Sequence, residues 1–271
     1  MNAPNPSERS AVLGDPGRLR GLARAAAMLH AAWAWVLFAG VVTAATAAIL
    51  AARDLAPRRR IARNAARLLC RLAGVQLSAA GLERLPSGPH VLVVNHLSFV
   101  DGIVLTALLP CNPGYSFTVR RELPQQSLFC PLLRALDAFI LHTNGHPAHT
   151  SVERAVWRLR AGSRIVVFPE GQIRSQPGLL PFHSGAFAAA AQAGVPVVPA
   201  ALRGTRQVLP LKSWLPRRTA VTLEIGNALS AGSASMRDIL ALCDDARRQV
   251  LLMSREPDLA VMPVSSQANP P

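Results

Sequence analysis

His96 and Asp101 stand in the stretch PHVLVVNHLSFVDG, residues 89–102, where an apolar run ends in Asn95-His96. A carboxylate that accepts from one ring nitrogen of an imidazole fixes the tautomer and raises the basicity of the other nitrogen. If the next helix begins near Ser98, Asp101 lies one turn in and can fold back to meet His96. The pair then has the form of two members of a catalytic triad in which the substrate supplies the hydroxyl. The spacing alone says little, because a chain with 7 His and 15 Asp plus Glu is apt to contain such a match by chance. Its place directly after a buried strand is more telling, since ligand sites in open α/β sheets lie at the carboxyl ends of strands.

A second apolar run, in IVVFPEGQIRSQPGLLPFHSGAF (residues 165–187), ends in Phe168-Pro169-Glu170-Gly171. Gly171 permits close backbone approach to a ligand and Pro169 stiffens the turn, while Glu170 is expected as an uncompensated carboxylate at the mouth of the crevice. Arg174 offers a bidentate grip for a phosphate. Taken alone, this stretch reads equally well as a plain strand-to-loop turn with solvated charges.

The elements that must position these groups follow from periodicity. Short apolar and β-branched runs predict strands at His90–Val94, Phe117–Val119, Ala138–Leu141, Arg164–Phe168, Val195–Leu202 and Ala220–Ile225. Helical stretches separate them at Phe99–Leu109, Gln126–Leu136, Ser151–Arg160, Ser184–Ala193 and Met236–Met253. Thr150 and Glu153 have the spacing of a capping box, and Gly162 is placed to close that helix. Alternation of this kind predicts an α/β fold, a mainly parallel sheet covered by helices on both faces.

Ahead of that alternation the run Ala31–Ala52 carries no formal charge and includes Trp33, Trp35 and Phe38, long enough for a ~30 Å hydrocarbon core. It is longer than the apolar region of a signal peptide, and although its alanine richness and modest hydrophobicity leave room for a buried core helix, an N-terminal membrane helix, spanning or dipping, is expected. Arg18, Arg20 and Arg24 precede it; Arg53, Arg58, Arg59, Arg60, Arg63, Arg67 and Arg71 follow it. The heavier C-terminal load places the following domain in the cytoplasm by the positive-inside bias. From Arg58 to Ala73, arginines alternate with Ile61, Ala65, Leu68, Leu69 and Leu72 at helical spacing, as in an amphipathic helix on anionic lipid or an ordinary surface helix.

Composition narrows the classes further. The chain has 271 residues, 50% hydrophobic and 16% charged, and a formal charge of +14 in which Lys212 is the sole lysine. Such a surface attracts anionic headgroups, an acidic carrier or nucleic acid. With 5% aromatic residues and 1 Tyr, base-stacking platforms are lacking and no nucleic-acid partner is expected. The 4 cysteines, at 70, 111, 130 and 243, form no CxxC pair and read as isolated thiols. His142, His146 and His149 cluster in HTNGHPAH without a carboxylate, which reads as a solvated connection, and no metal site is expected. No G-x-S-x-G elbow occurs, which weighs against a serine hydrolase.

Over roughly residues 85–210 the sequence resembles the glycerolipid acyltransferases typified by 1-acyl-glycerol-3-phosphate acyltransferase. Four blocks carry the resemblance in order: NHLSFVD at 95–101, FTVRREL at 117–123, FPEG at 168–171 and VPVVPAAL at 195–202. The resemblance implies His96 as general base and Asp101 as its orienter. It implies a substrate-binding set of Phe168, Pro169, Glu170, Gly171 and Arg174, with Arg120 and Arg121 as the basic pair of the second block. Two departures stand out. FPEG is commonly followed in the family by Thr-Arg, whereas here Gln172 and Ile173 precede Arg174; and His142 or Thr143 stands where many members place an arginine. Both positions are expected to hold the acceptor's phosphate.

The implied activity is transfer of a fatty acyl group from a thioester to the hydroxyl of a lysophospholipid, with 1-acyl-glycerol-3-phosphate giving phosphatidic acid. Another lysophospholipid or a lyso-aminolipid as acceptor stays open, as does a non-catalytic lipid-binding homologue. No cofactor is expected beyond acyl-CoA or an acyl carrier protein thioester as co-substrate, with the lysolipid acceptor and an anionic membrane surface as partners. The resulting organisation is a disordered lead (1–24), a membrane-anchoring helix (25–53), an amphipathic membrane-surface helix and linker (54–80), an acyltransferase domain (81–255) and a disordered tail (256–271). The domain is expected to face the cytoplasm from the cytoplasmic or inner membrane. Backbone N–H groups near His96 or Gly171 are the candidate donors for an oxyanion.

Overall fold

The central strands of this chain are largely apolar because both faces of the sheet are covered there, as parallel sheets require. The computed structural model describes residues 16–120, 130–141 and 148–260. Two helices come first, α1 (Pro16–Ala51) and α2 (Leu55–Leu72). Then follow β1 (Gln76–Ala80), a 3-10 turn (Leu82–Arg84), β2 (Val91–Val94), α3 (Asp101–Leu108), β3 (Tyr115–Arg120), α4 (Cys130–Ala135) and β4 (Phe139–Leu141). The remainder runs α5 (Ala148–Arg160), β5 (Arg164–Val167), α6 (Gly185–Ala193), β6 (Val197–Arg203), α7 (Thr205–Val208), β7 (Ala220–Ile225) and α8 (Met236–Ser254).

The strands form one 7-stranded sheet in the order β1-β7-β6-β2-β5-β3-β4. From β6 to β4 every neighbour is parallel, whereas β7 runs antiparallel to β6 and β1 runs parallel to β7. The expected fold class therefore holds: a mostly parallel sheet flanked by helices. Side chains alternate between faces along a strand. Val91 and Val93 of β2 thus join Ile165, Val197, Leu159 and Phe187 in a core under α5, α6 and α8. Leu92 and Val94 join Val166, Val198, Val104 and Leu105 in a second core under α2 and α3.

Several boundaries differ from expectation. Helix α1 begins at Pro16, inside the expected disordered lead; proline suits the first helical position, where its missing N–H has no partner to lose. Residues expected to be linker form β1, an edge strand that is exposed or half-exposed throughout and has too few apolar residues to announce itself. Helix α5 already includes Ala148, so Thr150 lies within the helix and is not its N-cap. Gly162 does close that helix at φ +89°, with its N–H on Leu159 O at 3.0 Å. Residues 121–129, which hold the start of the helix expected from Gln126, lie outside the described residues.

Of the expected disordered tail (256–271), residues 256–260 are held in place, and 261–271 lie outside the described residues. Arg206 pairs with Glu256 at 2.6 Å, Arg247 with Asp258 at 2.6 Å, and Leu179 N–H donates to Pro257 O at 2.8 Å. Fixed arginine partners order a segment whose composition alone reads as loose.

Within α1, the span Arg24–Ala51 is long and apolar enough to cross a membrane. Part of the basic face of α2, expected to meet lipid, turns into the domain instead. Arg67 Nε donates to Ala107 O at 2.9 Å, and Arg59 reaches Ser116 Oγ at 3.2 Å and Asp137 at 3.5 Å. Ala107 lies in the last turn of α3, whose carbonyls lack intrahelical donors and carry the negative end of the helix dipole.

Candidate active site

Because β2 and β5 are parallel neighbours with Val93 beside Val167, their carboxyl ends deliver His96 and Glu170 to one edge of the sheet. Asn95 secures the exit from β2. Its amide donates to Leu202 O at 3.0 Å and accepts from Leu202 N–H at 2.7 Å, pinning the chain to β6 as another rung of the ladder would. The next residue, His96, then turns away from the sheet.

Asp101 opens α3 with its side chain fully buried. Its Oδ2 accepts from His96 Nδ1 at 2.9 Å, from Leu97 N–H at 2.7 Å and from Ser98 N–H at 3.0 Å. One carboxylate oxygen thus folds the Leu97–Ser98 turn and sets the imidazole. The bond makes Nδ1 the protonated nitrogen and leaves Nε2 as the acceptor. Phe168 stacks on the His96 ring, centroids 4.1 Å apart and planes 17° from parallel, so one face of the imidazole is covered. The His96 side chain keeps 22% exposure, enough for a substrate hydroxyl to reach it.

Glu170 corrects an expectation. It is buried, 5% exposed, and its two oxygens accept from His96 N–H at 2.8 Å and Leu180 N–H at 2.9 Å. Burial raises its carboxyl above the ordinary range, opposed by those two N–H groups. The side chain therefore ties the loop after β5 to the loop after β2 as a buried acceptor of two backbone N–H groups instead of standing as a free charge. Gly171 has φ +67°, a conformation glycine adopts freely, and Pro169 is buried with its carbonyl accepting from His183 N–H at 2.9 Å.

The candidate oxyanion donors are corrected too. The N–H groups of His96, Leu97 and Ser98 are committed to Glu170 and Asp101, and Gly171 N–H to Phe168 O at 3.1 Å. Those four N–H groups therefore already have acceptors within the protein.

Arg174 is half-buried and, among the described residues, has no ion pair or hydrogen bond. Arg120 ends β3, which is parallel to β5, and so lies at the same edge of the sheet as His96. Arg121, His142, Thr143 and His146 lie outside the described residues, and so does the side chain of His149. Reading the sequence missed the Asn95 clamp and the bond from Ser98 Oγ to Leu209 O at 2.8 Å, which attaches the turn to the segment after β6. A buried asparagine at a strand end was the available signal, since its amide must find partners.

Fold and site together define an α/β protein with a carboxylate-oriented histidine at the carboxyl edge of a mostly parallel sheet. A family profile described as Acyltransferase matches residues 76–203, which take in both loops. The chain is 31% identical over 175 residues to the chloroplastic 1-acyl-sn-glycerol-3-phosphate acyltransferase BAT2 of Brassica napus, covering 63% of this chain and 48% of that one. It is 25% identical over 185 residues to a 1-acyl-sn-glycerol-3-phosphate acyltransferase of Saccharomyces cerevisiae, covering 66% and 60%. With the alpha form from Homo sapiens the identity is 29% over 191 residues, covering 68% and 66%. The chain thus spans about half to two thirds of the length of these curated relatives. The crystal structure of the 1-acyl-sn-glycerophosphate (LPA) acyltransferase PlsC from Thermotoga maritima shares the fold, with a TM-score of 0.66 and 20% identity over 86% of this chain and 97% of that one. Over residues 76–203 the chain is therefore similar to acyltransferases, and the relatives it resembles are named for acylation of 1-acyl-sn-glycerol-3-phosphate.

Proposed function

We propose that the protein is a membrane-bound O-acyltransferase that moves a fatty acyl group from a thioester, acyl-CoA or acyl carrier protein, to the free hydroxyl of a lysophospholipid. The acceptor is 1-acyl-glycerol-3-phosphate and the product phosphatidic acid, in keeping with the names of the relatives. The observation that carries the reading is the 2.9 Å bond between His96 Nδ1 and buried Asp101, with the opposite ring nitrogen left to act as base.

In this mechanism Nε2 of His96 removes the proton from the acceptor hydroxyl as that oxygen attacks the thioester carbonyl. Asp101 holds the tautomer and steadies the imidazolium that results. Collapse of the tetrahedral intermediate expels the thiolate, which takes up the proton to leave as thiol, and no covalent acyl-enzyme forms. Arg174, with Arg120 and Arg121, is assigned to the acceptor's phosphate; that Arg174 has no partner among the described residues supports that role. The domain faces the cytoplasm, as the arginines following Ala51 favour.

The test offers purified protein in detergent a panel of lysolipids with acyl-CoA or acyl carrier protein, products being read by mass spectrometry. Phosphatidic acid formation abolished by His96→Ala, with folding retained, is the expected result. Unchanged activity in that variant sinks the proposed base, and acylation of a different lysolipid reassigns the acceptor.

A further inference from the structure

The segment between α7 and β7, Pro210–Arg218 (PLKSWLPRR), has no part in the chemistry above, yet it is built like a surface anchor. Trp214 is 59% exposed, and Lys212, Arg217 and Arg218 are exposed with no ion pair among the described residues. No Asp or Glu occurs between Thr205 and Thr219, or anywhere in α1. The loop is closed by Arg217 N–H on Val208 O at 2.8 Å, so its tip is presented rather than trailing.

Two contacts say what the loop faces. Trp35 of α1 donates its indole N–H to Trp214 O at 2.7 Å. Around that bond the large side chains Leu29, Trp33 and Val36 of the apolar helix stand exposed. Helix α1 is held again near its other end, where Ile49 is buried and the helix packs on α2 and α4. It therefore lies against the domain with the loop at the level of its exposed apolar face. At the root of the loop, Leu209 O accepts from Ser98 Oγ, and Phe99, between His96 and Asp101, is 68% exposed. The loop thus links α1, at Trp214, to the turn that carries His96, at Leu209.

From this linkage we infer that Pro210–Arg218 is a second membrane-contact element. It seats Trp214 among lipid headgroups and places Lys212, Arg217 and Arg218 on anionic lipid, so that the rim of the His96 site meets the bilayer. Aromatic side chains favour this interfacial level, and each nearby basic residue adds attraction to an anionic leaflet. An acidic protein partner would account for the cations but not for the loop's attachment to an apolar helix. The inference rests on membrane attachment of α1 and not on the acyl-transfer reaction.

The full chain with W33F, W35F and W157F leaves Trp214 as its one tryptophan. Reconstituted with phosphatidylcholine–phosphatidylglycerol vesicles carrying brominated acyl chains, this protein is expected to show quenched, blue-shifted emission. Emission typical of water that bromine does not quench overturns the inference. So does shielding of Trp214 from aqueous acrylamide by acyl carrier protein but not by vesicles. In the otherwise native chain, K212E with R217E is expected to raise the acceptor KM in anionic vesicles by about tenfold, leaving the rate on detergent-dispersed acceptor unchanged. Equal losses in both presentations, or none, refute it. Were acyl transfer absent altogether, the fluorescence measurement would still decide.

Discussion

Glu170 Oε1 accepts the backbone N–H of His96 at 2.8 Å, while its other oxygen accepts from Leu180 N–H. The second conspicuous carboxylate of the site thus acts on the backbone of the proposed base. Replacement by glutamine keeps one acceptor and turns an NH2 group toward the second N–H, leaving a buried donor unsatisfied. E170Q is expected to cost about 1–3 kcal/mol of stability and to lower kcat with little change in acceptor KM. Steady-state kinetics beside thermal unfolding check this; a raised KM at unchanged kcat would return Glu170 to the acceptor.

Asp101 and His96 are separable by the same measurements. His96→Ala removes the proposed base and is expected to lower kcat by about 10²–10⁴-fold without unfolding the chain. Asp101→Ala also frees Leu97 and Ser98 N–H, so it is expected to lose activity together with stability. An Asp101 variant of native stability and activity would show that the turn and the tautomer are fixed by something else.

Arg174→Ala is expected to act on the acceptor alone, raising its KM by about tenfold or more with thioester KM unchanged, since charge-assisted bonds to phosphate are strong. Arg174→Lys, which keeps charge but not the fork, is expected to fall between. Titrating acceptor at saturating donor measures this; no change in either variant takes Arg174 out of the phosphate site.

How far the sequence could be read depended on burial. Strands β2, β5 and β6 are covered on both faces, so their apolar runs are continuous, and the residues after them fell where expected. Edge strand β1 has alternating half-exposed positions and short side chains, and nothing in QLSAA distinguishes it from a linker. Spacing paired His96 with Asp101 because that contact is local. The bonds from Glu170 to His96 and from Asn95 to Leu202 join residues far apart in the chain, and they exist only once strand order is set. For the same reason Glu170 read as a free charge when it is a buried fastening.

His90, at the opposite end of β2 from the site, gives the fold a pH dependence of its own. Its ring is fully buried, with Nδ1 on Gly88 O at 2.9 Å and Nε2 on Tyr115 OH at 2.9 Å. These partners suit the neutral ring: Nδ1–H donates to the carbonyl and Nε2 accepts from the phenol. Burial, with a smaller contribution from Arg164, pushes the imidazole down from 6.5 to about 4. As pH falls, the unfolded chain therefore binds a proton before the folded one does. Stability is fully present above pH 6.5 and is lost as pH drops toward 4, by about 3 kcal/mol across the window. In H90Q, whose amide oxygen can still accept from Tyr115, that share of the slope is expected to vanish. Denaturant unfolding of both proteins in detergent at intervals from pH 4 to 7.5 measures the difference. Identical slopes would mean that His90 titrates alike in both states, and a variant more pH-sensitive than the native chain would reverse the sign assigned to it.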